Sequence, residues 1–415
     1  MPFVLWPPLA FLWLSWRYEI FSGKNPQTLL EIKIPKEILK PIRSMEVVLD
    51  SIWQVMYDTA DLWEKWVEGK YLMTLSFEIA CTEGTPHFFI RCPKSFIHSI
   101  ESAIYAQYPD VEISEVDDYT KHVPRDIPNA NWDLWGASYR LERENPYPIK
   151  TYLQFESESE ALEEKRVDPL STLLEVMAQI GRGEQLWIQI NAVTVTDKEV
   201  PWVTEGEAIR DKLSRREPKT PGRQRTIIGE ATDILLTGNV EGAVLEEESK
   251  EILPPEMRLT TGERDVVGAI EKKMAKRGFH CDIRFIYLGQ KDYFFKPKLR
   301  MPIAFFSNYV TQNLNGIRPI GQPHITKIKK SFFPLSNLFI GRRLYLRKRQ
   351  MFKNYYQRKH PLFPDRRQYP SSFILNTEEL ASLYHFPGKK PAAAPYVERL
   401  ETKKGEAPSD LPTME

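Results

Sequence analysis

The sequence predicts an α+β fold of two tandem ferredoxin-like (split βαβ) units after a short N-terminal apolar helix. Two observations carry this. Alternating apolar runs and helix-spaced apolar stripes follow one another in the order βαββαβ between residues 25 and 125, and a similar succession recurs between 126 and 325. The composition, 42% hydrophobic and 27% charged over 415 residues, is that of an ordinary globular chain with room for two to three domains. Collagen-like, mucin-like and wholly disordered classes are excluded.

In the first unit, residues 29–35 (LLEIKIP) put Leu30, Ile32 and Ile34 on one face of a strand. Met45, Val48, Leu49, Ile52 and Met56 then recur at helical spacing. Residues 72–80 and 87–92 read as a strand pair about EGT, with Gly84 supplying the turn. Pro93 suits the first turn of a helix striped by Phe96, Ile97, Ile100 and Ile104, and residues 111–116 return as a strand.

The second unit opens near Trp135, with strands expected at 138–142 and 149–156 on either side of the turn-forming NPYP. The acidic run 156–164 reads as a solvated loop. Asp168-Pro169 caps a helix with Leu170, Leu173, Leu174, Met177 and Ile180 on one face, ended by Gly181 and Gly183. Residues 185–193 read as a buried strand. Mixed charge and few aromatics mark 200–258 as an insertion. A helix at about 261–277, with Gly278 as its C-cap residue, precedes a strand at 280–289. A basic aromatic segment and a closing element follow over 326–387, and 388–415 is linker-like.

Residues 1–24 depart from this patterning. Residues 2–16 (PFVLWPPLAFLWLSW) carry no charge and include three tryptophans. As a helix they span about 22 Å against roughly 30 Å of hydrocarbon, and Pro7 and Pro8 should interrupt the first turns. A full crossing is therefore not expected. The lack of a basic leader region and of a small-residue cleavage site argues against a secretory signal. Tryptophan suits the membrane–water interface, so Phe3, Leu5, Trp6, Leu9, Phe11, Leu12, Trp13 and Trp16 are the expected bilayer contacts. The alternative is that the segment packs on its own domain or on a partner.

Catalytic motifs are missing. No GxxxxGK(S/T), HExxH, GxSxG or GxGxxG stretch occurs, so no nucleotide cradle, zinc site or hydrolase elbow is encoded. Cys81, Cys92 and Cys281 are far apart and outside any CxxC spacing, which fits a reducing compartment better than a disulfide framework. The histidines are scattered singly, and His98 and His280 read as structural. Asp117-Asp118 and Glu246 to Glu248 read as solvated faces. The chain is expected to be non-enzymatic, with no catalytic residue, cofactor or metal.

The sharp electrostatic feature lies at 327–367, where thirteen Lys or Arg face one acid, Asp365, giving +12 in a chain of net +1. Arg342, Arg343, Arg347, Lys348, Arg349, Lys353, Arg358 and Lys359 are its candidate anion contacts. They are interleaved with Phe332, Phe333, Tyr345, Phe352, Tyr355, Tyr356 and Phe363, a mixture that can neutralise phosphates while rings stack on unpaired bases. The same composition suits anionic lipid, docking onto an acidic surface, or a solvated face.

Several phrases, in order across nearly the whole chain, resemble one family. TLLEIKIPKEILKPIRSMEVVL, FFIRCPKSF, IESAIYAQYPDVEISEVDDYT, NPYPIKTYLQFE, DPLSTLLEVMAQIGRGEQLWIQI, AIEKKMAKRGF, IRFIYLG, QNLNGIRP and SSFILNTEELASLYHFPG look like the membrane-proximal region of conjugation or type IV secretion ATPases of the HerA, TraG or VirB4 kind, frequent in candidate-phylum bacteria. The resemblance implies N-terminal membrane helices, a cytoplasmic-facing α+β region that is a domain of unknown function, and a hexameric RecA-like motor beyond a DLP-like junction. Here the chain stops at SDLPTME and carries no motor. The expected role is a non-catalytic module at the cytoplasmic face of the cell membrane that positions a separate motor ATPase, in cis or in trans, as a homo-oligomer or a subunit of a secretion complex. The alternative is a single-stranded nucleic-acid-binding accessory.

Overall fold

In the computed structural model, which describes residues 2–35, 38, 40–155, 168–214, 259–328, 337–360, 371–388 and 399–400, an antiparallel sheet runs through both halves of the chain. Apolar alternation sets its first strands. β1 (Gln27–Pro35) turns Leu30, Ile32 and Ile34 to one face. α2 (Arg43–Met56) packs there through Met45, Val48, Leu49, Ile52 and Met56. β2 (Leu75–Thr82) and β3 (Thr85–Pro93) form a hairpin whose tight turn puts Glu83 and Gly84 at φ 52° and 91°. Those left-handed angles explain the glycine. α3 (Ile97–Gln107) buries Ile100 and Ile104, and β4 (Glu112–Val116) returns beside β1. The strands lie in the order β2–β3–β1–β4.

The second half comprises β5 (Trp132–Leu141), α4 (Pro169–Ala178), β6 (Glu184–Val195), α5 (Trp202–Leu213), α6 (Thr261–Met274), β7 (Gly278–Gln290), α7 (Arg300–Ser307) and β8 (Ile317–Pro319). Its order is β6–β7–β5–β8, and the halves join where β2 pairs β6 from Leu75↔Ala192 to Thr82↔Gln185. α8 (Ile340–Tyr356) follows, then β9 (Ser372–Asn376), which pairs the first residues of β7, and α9 (Thr377–Leu383). Every pairing among β1–β9 is antiparallel. The class is α+β, as read from the sequence.

Period-2 alternation gives the sheet two buried faces. On the first, α2, α3, α4, α7 and α9 cover one apolar cluster that extends from Leu30 and Phe77 through Ile188 and Phe285 to Phe373 and Leu383. On the second, Leu29, Phe89, Trp187, Ile286 and Leu288 meet Tyr119 and three residues of α8, Met351, Phe352 and Tyr355. The closing element is thus part of the first-face core, where Tyr384 and Phe386 pack on Phe88.

Three local expectations change. The strand expected at 149–156 is irregular backbone and a helical turn, Tyr152–Phe155. Its donors are taken by side chains of α9, since Ile149 N donates to Glu379 at 2.8 Å and Tyr152 N to Ser382 at 2.8 Å, so no strand partner is needed. The strand expected at 138–142 is present as the end of β5, which runs to Leu141. Gly278 opens β7 instead of capping a helix: α6 ends at Met274 with Ala275 as its C-cap residue, and the Trp202 ring lies 3.1 Å from where a Gly278 Cβ would be. The apolar start does not break at its prolines: α1 (Pro2–Lys24) is one 23-residue helix containing Pro7 and Pro8. They lie so near its N-terminus that only early carbonyls lose donors. No helix among the described residues is long and apolar enough to cross a membrane. The insertion at 200–258 begins with α5; residues 215–258, the acidic run, Glu246 to Glu248 and most of the tail lie outside the described residues.

Candidate functional site

The chemistry gathers on the second face. α8 lies along β5 and β7 with its apolar stripe inward, which leaves Arg342, Arg343, Arg349 and Lys353 exposed in a row, with Lys359 just beyond. Arg347 and Lys348 are half-buried, and Lys348 Nζ pairs with Asp133 at 2.5 Å. Arg349 donates to the Tyr345 hydroxyl at 2.9 Å. Among the expected stacking rings, Tyr345 is exposed, but Phe352 and Tyr355 are core residues, so the basic and aromatic side chains of this helix mostly face opposite ways. Lys329, Lys330, Phe332, Phe333, Phe363, Arg366 and Arg367 lie outside the described residues.

Arg358 is not a surface contact. Its guanidinium is buried beneath the end of α8 and donates to Glu78 of β2 at 2.9 and 3.0 Å and to Asp118. Glu78 also accepts from Ser76 at 2.6 Å, Tyr119 at 2.7 Å and Gln189 at 3.0 Å. Burial raises the Glu78 carboxyl, but the Arg358 charge and the hydrogen bonds from Arg358, Ser76 and Tyr119 together outweigh it, and the group sits below the usual carboxylate range. Asp118 behaves likewise. Asp118 therefore belongs to a buried network and not to a solvated turn, while its neighbour Asp117 is exposed. Beside this cluster, Arg284 donates to the carbonyls of Asn354 and Lys359 and pairs with Asp282. Asn191 Oδ1, Asp282 Oδ1 and Arg284 Nε are buried without hydrogen-bond partners.

The N-terminal helix packs on its own chain through the 66–71 segment. The Trp13 indole donates to Trp66 O at 2.8 Å, Arg17 donates to Val67 O, Trp6 stacks on Trp66, and Tyr18 and Phe21 meet Tyr71. The partner segment is a π-helical turn, Glu64–Glu68, ended by Gly69 in the left-handed conformation. The remainder of the helix faces outward: Trp6 is 63% exposed, Leu12 64% and Trp16 52%, with Leu9, Phe11 and Trp13 close behind. Leu62 and Trp63, just before the turn on which α1 packs, are also 79% and 67% exposed. Phe3 and Leu5 belong to α1, but their side chains lie outside the described ones. Sequence reading missed 61–67; the signal is Trp63 and Trp66 at helical spacing in DLWEKWVEG.

Between these elements is a cleft of about 440 Å³, lined by Tyr18 and Tyr71, by Lys65, Lys70, Lys198 and Glu199, and by Val193, Val195, His280 and His360 from the sheet side. The histidines are not all solitary, since His280 Nδ1 and His360 Nε2 are 3.2 Å apart. Burial and the neighbouring ring hold His280 well below the usual imidazole range, so it is neutral. His98 is exposed beside Glu101. Cys81, Cys92 and Cys281 are buried free thiols, and burial pushes Cys81 and Cys92 up to about 12. No group of three or more His, Cys, Asp or Glu among the described residues could hold a metal ion.

Fold and site together define an α+β protein with a basic helix clamped over a buried ionic network and an outward-facing tryptophan helix at one end. The chain belongs to the family described as domain of unknown function (DUF8128), matched over residues 19–316, from within α1 to the start of β8. No curated protein matches it.

Proposed function

We propose that the protein is a non-catalytic, membrane-associated module of a conjugative or type IV secretion DNA-transfer machine, which positions or docks a separate RecA-like motor ATPase at the cytoplasmic face of the cell membrane. The observation that carries this reading is the exposed apolar surface of Trp6, Leu9, Leu12, Trp13, Trp16, Leu62 and Trp63. Exposed apolar surface of this kind marks an interaction site, and tryptophan favours the bilayer interface. The halves read as tandem ferredoxin-like units joined edge to edge through β2 and β6, a rigid base suited to homo-oligomeric or subunit contacts.

Liposome flotation tests the reading. The 415-residue chain floats with vesicles and its tryptophan emission shifts to the blue, while a Trp13→Ser/Trp16→Ser/Trp63→Ser variant stays at the bottom. A wild-type chain that never floats refutes membrane association, and ATP turnover by the pure chain refutes the non-catalytic role. The second reading, a single-stranded nucleic-acid-binding accessory, is favoured by the exposed row Arg342, Arg343, Arg349 and Lys353 with Tyr345 beside it.

A further inference from the structure

The cleft beside α1 combines a cationic rim with a partly apolar floor. Three lysines from two segments line it against one carboxylate, Glu199. That carboxylate is already occupied, accepting from Thr196 N and Thr196 Oγ1 at 2.8 Å each. Lys70 is neutralised from outside the cleft by Asp58 at 2.9 Å and Glu64 at 3.0 Å. Lys65 and Lys198 make no ion pair among the described residues. Two ammonium groups, one on the 61–68 turn and one between β6 and α5, thus lack a counter-ion.

The floor supplies a neutral donor. His360 Nε2 is 3.2 Å from both Nδ1 and the carbonyl oxygen of His280. A proton on His360 Nε2 serves both acceptors, which leaves the His280 proton on its Nε2. Leu72, Val193 and Val195 are apolar residues lining the same cleft, and Val193 is the cross-strand partner of His280. Tyr18, on the packed side of α1, forms one wall, and Lys65 lies between Trp63 and Trp66 in the chain.

We propose that this cleft binds a phosphate-bearing lipid headgroup, held by Lys65, Lys198 and the His280 Nε2–H. The membrane reading above supplies the source of this ligand; the anion site itself stands on the cleft. A soluble phosphate ester shares the headgroup chemistry, and the test separates the two.

The full chain, labelled with ¹³C in its histidine rings, is titrated with dihexanoylphosphatidylglycerol below its micellar concentration, with dihexanoylphosphatidylcholine, and with sn-glycerol 3-phosphate. The anionic lipid shifts the His280 and His360 signals and saturates, and the zwitterionic lipid binds more weakly. Lys65→Gln/Lys198→Gln weakens the anionic lipid by tenfold or more, at about fivefold per lysine. Thr59→Trp, which changes no charge and fills the exposed mouth, abolishes the shift and serves where the lysine variant fails to fold. Glycerol phosphate binding as tightly as the lipid retains the anion site and overturns lipid as its source. Unmoved histidine signals with every phosphate, in a chain that still floats with vesicles, overturn the site and leave the membrane reading standing. Shifts that persist in a chain that does not float do the reverse.

Discussion

Arg358 and Glu78 are 280 residues apart in the chain and form an ion pair whose side chains are 1% and 0% exposed. The pair ties the end of α8 to β2, across the seam between the halves of the sheet. Arg358 adopts φ 47°, a left-handed conformation that favours glycine. A large charged residue there, at the cost of backbone strain, indicates that its guanidinium is needed beneath the helix. The basic helix is therefore held against the sheet by a member of its own basic run, and the orientation of its exposed cations follows from that anchor.

Arg358→Leu leaves the Glu78 carboxylate buried without its cation, so urea denaturation should show a loss of about 3–5 kcal/mol. Arg358→Gly relieves the left-handed backbone, worth about 1–2 kcal/mol, but leaves the same carboxylate uncompensated and should still be destabilised. Adding Glu78→Gln to Arg358→Leu should recover part of the loss. A cost below about 1 kcal/mol for Arg358→Leu would mean that the pair is solvated, as surface pairs are.

The same pair sets the acid limb of stability. Glu78 and Asp118 are held below their usual range when folded. Their contribution is complete above the unfolded-state values near 4, and it is lost as pH falls through the lower folded values. Without Arg358, burial raises Glu78 instead, so protonation on acidification relieves the variant. The stability gap between wild type and Arg358→Leu should narrow from pH 7 to pH 4. A constant gap would assign the cost of the substitution to lost packing.

How far these features were legible in the sequence depended on the range of the interactions involved. Alternation in LLEIKIP and the stripe Met45, Val48, Leu49, Ile52 were enough to locate β1 and α2, because burial on one face imposes a local period. Asp168 was read as a cap and accepts from Leu170 N at 2.8 Å, another local rule. Arg358 was read with its neighbours as a surface cation because nothing nearby in sequence reveals Glu78. The contact of His280 with His360 was equally hidden. Tyr152 misled for a related reason, since an apolar alternating segment satisfied its backbone through Glu379 and Ser382, more than two hundred residues away.

The exposed row on α8 should act through charge alone. Arg342→Gln/Arg349→Gln/Lys353→Gln changes solvated side chains and should move stability by no more than about 0.5 kcal/mol per site. If the row grips single-stranded nucleic acid, log affinity against log salt should become shallower by about 2, near 0.7 for each lost phosphate contact. Lys348→Gln differs, because it also breaks the pair with Asp133. Unchanged binding to both oligonucleotides and anionic vesicles by the triple variant would reduce the row to a solvated helix face.

Gly69 controls how α1 is held. It lies at φ 77°, closes the turn Glu64–Glu68 by donating its N–H to Glu64 O, and a Cβ there would stand 2.4 Å from the Arg17 carbonyl oxygen. Gly69→Ala combines left-handed strain of about 1–2 kcal/mol with overpacking of about 1–3 kcal/mol. The contact most easily given up is that between α1 and the turn, since the outer side of α1 touches little else. Trypsin should cut after Arg17 and Lys24 several-fold faster in Gly69→Ala than in wild type, with a smaller change in the global unfolding midpoint. Gly23→Ala is the control: no atom lies within 4 Å of its Cβ position, and alanine favours a helix by about 0.5–1 kcal/mol, so cleavage should be unchanged or slower. Equal cleavage of wild type and Gly69→Ala would show that α1 does not depend on this close approach. Faster cleavage accompanied by loss of vesicle flotation would tie the membrane role to the docked helix, because the tryptophans themselves are intact in that variant.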